Sequence, residues 1–411
     1  MFFDLLLCKL LIVMIFEQII IGGGAAGLFA AAHSNCKTLI LEKKASAGNK
    51  LLIAGQGRCN FTHVGRISDF FEHYGDNANF IKHALKKYTN NDVIEYFSSR
   101  GLEITEDKNG KLFPQSGKSS DILQILIKEC KKKGLQLNLN EEVKGVKFND
   151  AIFHINTVKS SYSAKKLIIA TGGMSYPATG STGDGYVFAK SFGHHILPPK
   201  PSLSPVFVKN YTFQELAGIS LKDCQVSIYR ENKKIRSHTG DIGFTHKGLS
   251  GPGIIDFSRY IQAGDLLKLN ICGISMDDFN KHFLNAVRDN GKSTVQIFLK
   301  QFEIPKSLIQ NLLMLLKVEP AEKIGNITKE LRKSIIEQFC ELSFEVERIG
   351  GFNVAMATSG GVFLDEVSPK TMESKLQVGL FFAGEVLDID GDTGGYNLQA
   401  AFSTGYMAAL G

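Results

Sequence analysis

Apolar positions along this chain follow two periods, and the periods come in blocks. Gln18-Ile19-Ile20-Ile21 is a short apolar run entering glycine, the pattern of a strand buried on both faces. Ala25 to His33 is alanine-rich and helical, and Thr38-Leu39-Ile40-Leu41 is a second buried strand, completing one right-handed β-α-β unit. Helical spacing returns at Ile81 to Arg100 and Ser119 to Lys133, and strand patterns at Gln136 to Val146 and Lys166 to Ala170. Between them, Asn49 to His63 is polar and glycine-rich and reads as a long functional loop.

The pattern changes after Pro198-Pro199. Cys224, Val226 and Ile228 alternate with polar neighbours, a half-buried antiparallel strand with a turn at Glu231-Asn232, and Leu266 to Ile274 is similar. From Met276 to Leu342 the period is helical, with Phe279, Phe283 and Val287 on one stripe and Leu331, Ile335 and Phe339 on another; both stripes read as core. Strand character returns at Phe344 to Arg348, then Gly379 to Ala383 reads as a strand and Asn397 onward as a helix. The expected architecture is a discontinuous α/β domain interrupted by a β-rich and a helical insert. Its expected boundaries are an extension over 1–16, the α/β domain over 17–194 and 355–411, the β-rich insert over 195–274 and 343–354, and the helical insert over 275–342.

Composition narrows the picture. A chain of 411 residues exceeds one simple core, and 44% hydrophobic with 21% charged residues is ordinary for a globular protein. The net charge of +6 is scattered apart from Lys131-Lys132-Lys133, which speaks against a nucleic-acid face. Seven cysteines stand singly, without a CxxC pair, so neither a zinc site nor a disulfide framework is expected and a reducing cytoplasm is. Phe2 to Phe16 is apolar but short and carries Lys9, so it reads as an extension upstream of a start at Met14, with no stable membrane association.

The chemistry sits at glycines. Gly22-Gly23-Gly24-Ala25-Ala26-Gly27 fits GxGxxG between a strand and a helix, with Gly22 for the tight turn, Gly24 for close approach of a pyrophosphate and Gly27 for helix packing. Glu42, twenty positions after Gly22, ends the second strand where its carboxylate can accept from ribose hydroxyls. This unit alone leaves NAD and FAD open. Three segments favour FAD: the strand ending in Ala170-Thr171-Gly172-Gly173; Gly384-Glu385 leading to Gly394-Gly395-Tyr396-Asn397-Leu398, a helix start that can face the flavin pyrimidine; and Gly55-Gln56-Gly57-Arg58-Cys59-Asn60, a glycine loop with a cation. No second GxGxxG unit appears, so a reduced nicotinamide would bind transiently.

The stretches GGGAAGLFAA (22–31), GQGRCNFTH (55–63), GGMSYPATGSTGDGY (172–186), GDIGFTHKGLSGPG (240–253), SGGVFLDEVSPKTMESK (359–375) and LFFAGEVLDIDGDTGGYNLQAAFSTG (380–405) resemble the BaiN and aminoacetone-oxidase-like FAD-dependent oxidoreductases. His63 departs from the family's usual Asn. The resemblance implies a two-dinucleotide-binding FAD domain of the glutathione-reductase-2 type with an inserted β-barrel-like domain. It implies cofactor contacts at Gly22, Gly24, Ala26, Gly27, Glu42, Lys43, Arg58, Asn60, Val143, Thr171, Gly172, Gly384, Glu385, Gly395, Asn397 and Leu398, with Val143 carried by its place in a third adenine-side strand. Arg58, Tyr176 and His246 are flavin-face candidates. Ser250 and Pro252 also read as a helix start, Cys59 as a packed residue, and no metal is expected at His194-His195. The implied activity is hydride transfer between FAD and a small amine, aminoketone or unsaturated ketone, with oxygen or another acceptor. A flavin-dependent RNA-modifying enzyme and a non-catalytic flavin-binding protein are the alternatives.

Overall fold

The computed structural model describes residues 15–411, which form two compact units, one ending at Lys200 and resuming over Ala357–Gly411, the other Pro201–Met356. The reading of residues 1–14 as an extension lies outside the described residues. Ile15 and Phe16, assigned to that extension, instead open the first strand.

In the first unit, strands β1 (Ile15–Ile21), β2 (Thr38–Leu41), β3 (Gln136–Asn138), β4 (Val143–Asn149), β5 (Ile152–Thr157), β6 (Ser161–Ile169) and β7 (Leu380–Phe382) make one sheet. Its order is β3-β2-β1-β6-β5-β4, with β7 pairing the second half of β6. The pairs among β3, β2, β1, β6 and β7 are parallel, and β4-β5-β6 run antiparallel. The chain therefore leaves β1 in one direction toward β2 and later returns on its other side as β6, a topological switch point. Isoleucine and leucine fill both faces: Ile19, Ile20, Leu39, Ile40, Leu167, Ile168 and Ile169 are all fully buried.

Helix α1 (Ala25–His33) follows β1 directly. Next come α2 (Asn49–Ile53), α3 (Ala78–Lys87), α4 (Asn90–Ser98), α5 (Ser119–Lys132), α6 (Asp184–Ser191) and the last helix, α7 (Tyr396–Leu410). Three departures from the sequence reading have physical causes. The Asn49–His63 loop contains the one-turn helix α2, too short for a period to register. The helix expected over Ile81–Arg100 is broken at Thr89, whose hydroxyl accepts from the Asp92 amide while Asp92 accepts from the Thr89 amide, a capping box. The strand expected over Gln136–Val146 is two strands, separated at Asn140 with φ 53°.

The second unit contains a closed six-stranded barrel in the order Val206–Val208, Gly248–Ser250, Lys233–Phe244, Ser220–Arg230, Leu266–Asn270, Leu342–Ile349. Its long hairpin turns at Glu231-Asn232, both with positive φ, as a two-residue hairpin turn demands. Helices Met276–Asn290, Val295–Lys300, Lys306–Leu315 and Lys329–Cys340 share one core with the barrel, in which Phe279, Phe283 and Phe339 lie with Val226, Ile228 and Phe344. No helix among the described residues is long and apolar enough to cross a membrane.

Candidate dinucleotide site

Strand register brings the glycine segments together. Ile21 stands opposite Leu41 and Ile169, and Phe382 stands opposite Ile169. The residues that follow these four ends are Gly22, Glu42, Ala170-Thr171-Gly172 and Ala383-Gly384-Glu385. All four segments leave the same carboxyl edge of the sheet, at the switch point, where open α/β sheets bind ligands.

The turn itself is sterically specified. Gly22 has φ 109°, and a Cβ there would lie 2.4 Å from the Ala170 carbonyl oxygen. A Cβ on Gly27 would lie 2.0 Å from the Gly22 carbonyl oxygen, so helix and strand touch as closely as backbone allows. A Cβ on Gly24 would meet nothing within 4 Å, which leaves room over the start of α1. Gly24 has no capping side chain, so the first N–H groups of this nine-residue helix face that space without a side-chain acceptor. Glu42 stands beside the turn: one carboxylate oxygen accepts from the Gly23 amide and the other from the Lys44 amide, both at 2.8 Å.

The far end is built by α7. A Cβ on Gly405 would lie 2.6 Å from the Ala26 carbonyl oxygen, and one on Gly384 2.8 Å from the Ala26 Cβ. The start of α7 is nine residues before Gly405, roughly 13 Å along the helix axis at 1.5 Å per residue. Gly395 caps it in the left-handed region, and Asn397 spends its side chain on its own loop, accepting from the Gly391 amide at 2.9 Å and donating to the Gly391 carbonyl at 2.7 Å. What Asn397 and Leu398 keep for a ligand is backbone N–H at a helix N-terminus. Around them, the His73 ring stacks on Tyr396 at 3.9 Å and its Nδ1 lies 3.0 Å from Asp392, while Asn77 donates to the Asp388 carbonyl at 2.7 Å.

Several expected site residues carry other duties. The Asn60 amide donates to the carbonyls of Thr62 at 2.9 Å and Leu112 at 3.0 Å, holding its loop. Lys43 pairs with Asp184 and Thr182. Arg58 is exposed, with its guanidinium 4.8 Å from the Phe113 ring. Gly172 turns at φ 73° after Thr171. Val143 needs a correction: the strand beside β2 is β3, and Val143 opens β4 at the other end of the sheet order, two residues after Glu141, whose amide donates to the Glu42 carbonyl at 2.9 Å. Tyr176 is half-buried with φ 51°, and its carbonyl accepts from Thr179. His246 belongs to the second unit and is exposed there. Ser250 ends a strand, and Gly251 rather than Ser250 precedes the short helix Pro252–Ile255.

The cysteine in the glycine loop is not a nucleophile. Cys59 is fully buried, and burial pushes its thiol up to about 12, so it stays protonated and packs. His194 and His195 share Glu366, and burial holds His194 below the ordinary histidine range. Among the described residues no cluster suits a metal ion.

Some of the residues that shape this region carried no signal in the sequence. Lys50, Ser175 and Thr358 meet at Glu385, whose carboxylate accepts from the Ser175 hydroxyl at 2.8 Å and the Thr358 amide at 2.7 Å and pairs with Lys50.

Residues 16–411 match the family described as HI0933-like protein Rossmann domain. The chain belongs to that family. This HI0933-like protein is an oxidoreductase of the flavoprotein type, with the α/β domain and inserted barrel expected of it. It is 34% identical over 409 residues to a ribosomal RNA dihydrouridine synthase of Haemophilus influenzae, covering 96% of this chain and 98% of the relative. It is 31% identical over 401 residues to a 3-dehydro-bile acid delta(4,6)-reductase of Clostridium scindens, covering 95% and 97%. An E. coli quinol fumarate reductase shares the fold at TM-score 0.50 and 14% identity, over 96% of this chain and 69% of that one.

The site thus offers features that suit a flavin dinucleotide: an open, uncapped helix start where a phosphate could sit, a carboxylate beside it, and a second helix start further along.

Proposed function

We propose that this HI0933-like protein is an FAD-dependent reductase that saturates a carbon–carbon double bond conjugated to a carbonyl, with a transiently bound reduced nicotinamide as electron source. The observation that carries the cofactor half is the row of strand ends at Leu41, Ile21, Ile169 and Phe382, which sets Glu42, the Gly22 turn, Thr171-Gly172 and Gly384-Glu385 along one edge. Bound FAD supplies the hydride chemistry. The chain's own residues hold it: α1 N–H groups at phosphate, Glu42 at ribose, and the amides of Asn397 and Leu398 at the pyrimidine, where negative charge develops on reduction.

Two relatives support the substrate half. Reducing uridine to dihydrouridine saturates a ring double bond next to a carbonyl, and a 3-dehydro-bile acid delta(4,6)-reductase acts on double bonds conjugated with a ring ketone. Each conjugated double bond saturated in this way takes two electrons, delivered as one hydride and one proton. A uracil base in ribosomal RNA is a second reading, favoured by a dihydrouridine synthase name on relatives at 34% and 30% identity.

The test is anaerobic. Flavin reduced by NADH or NADPH is mixed with a 3-keto-4-ene steroid, or with unmodified ribosomal RNA. The oxidised flavin spectrum should return with one of them, accompanied by a product two mass units heavier. Reoxidation by air alone, with no reduced product from either, contradicts the proposal.

A further inference from the structure

Lys50 links the loop after the glycine turn to the segments ending at Ser175 and Glu385. It lies in α2, two residues past Gly48, whose amide donates to the Gly23 carbonyl inside the turn at 2.8 Å. Its ammonium reaches the other way, to the Ser175 hydroxyl and the Glu385 carboxylate, 125 and 335 positions along the chain. Glu385 is occupied by the protein on both oxygens, one by Ser175 and the Thr358 amide, the other by Lys50. An ammonium has three N–H donors. Ser175 and Glu385 use two, and no other acceptor for Lys50 occurs among the described residues. The Lys50 and Glu385 side chains are only 26% and 19% exposed, so a ligand acceptor there is worth more than at an open surface. Among neighbouring cations, Lys43 is held by Asp184 and Arg58 lies over Phe113.

We propose that Lys50 binds the phosphate on the riboflavin side of the FAD diphosphate, a contact that rests on the FAD reading above. The start of α1 lies beside Glu42 and serves the adenosine-side phosphate. From there the cofactor must run past Gly384, which touches Ala26, toward the start of α7. Ser175 and Glu385 follow the two segments along that path, and Lys50 brings a cation to it. Glu385 then acts through Lys50, as a positioning residue that holds the ammonium in place.

Adenine nucleotides read this contact without any turnover. ADP carries the phosphate in question as its terminal group, and AMP lacks it. With apoprotein, Lys50→Gln should raise the Kd for both FAD and ADP about tenfold, leave AMP unchanged and flatten the salt dependence of ADP binding. Lys50→Arg should recover most of the loss. The double variant Lys50→Gln, Glu385→Gln removes the carboxylate left without its partner and should show the same ADP defect on a folded protein. An unchanged ADP affinity, or an equal loss for AMP, overturns the assignment. Failure of the wild-type apoprotein to bind FAD would instead overturn the cofactor reading, while the ADP and AMP arms still report on Lys50.

Discussion

Gly27→Ala protein should fold poorly and carry little or no flavin. The added methyl would lie 2.0 Å from the Gly22 carbonyl oxygen and 3.3 Å from an Ile20 methyl group. Neither can yield: Gly22 is locked against Ala170, and Ile20 is fully buried in the central strand. Relief must come from α1 sliding off the turn, which also strains its contact with α7 at Ala26 and Gly405. Overpacking of this kind costs on the order of 3 kcal/mol. Loss of two charge-assisted phosphate bonds would add an affinity loss of at least about a hundredfold. Urea unfolding of the apoprotein and FAD titration measure the two effects separately; wild-type values for both would mean that the close packing is not what shapes the turn.

Replacing Glu42 with alanine should raise the Kd for FAD by at least about tenfold, with a smaller loss for Glu42→Gln. The carboxylate has two roles that act together. It accepts from the Gly23 and Lys44 amides and so orders the turn, and in the proposed FAD site it would offer its remaining lone pairs to the ribose hydroxyls. Each charge-assisted bond contributes about 1.5–3 kcal/mol. Glutamine keeps one acceptor oxygen and loses the charge, which is why it should fall between. Fluorescence titration of apoprotein with FAD checks the order; an alanine variant that binds as tightly as wild type would place the ribose contact elsewhere.

The nucleotide-binding half of this fold was legible because its signals are local. Ala25–His33 and Thr38–Leu41 have the boundaries that their periods indicate, since glycine, alanine and β-branched residues all agree there. The break at Thr89 was not read: Thr89 and Asp92 are spaced as a capping box, but the apolar stripe on either side runs through them. The two strands at 136–149 were not separable, because the left-handed Asn140 between them leaves no mark on an apolar pattern.

In the site, the glycines and Glu42 announced themselves through spacing. Lys50, Ser175 and Thr358 did not, since their meeting at Glu385 depends on a parallel register between strands far apart in the chain. Asn60 and Asn397 show the opposite limit. The family resemblance implied ligand contacts at both, and their side-chain amides close their own loops.

That the Gly22 turn, Glu42 and the start of α7 hold FAD is our proposal. Its most direct test is to denature the purified protein, separate the released chromophore from the chain and identify it by mass and fluorescence. The expected chromophore is FAD, close to one per chain after incubation with excess cofactor and desalting. Protein that remains colourless after that incubation, or that retains FMN in place of FAD, would contradict the proposal.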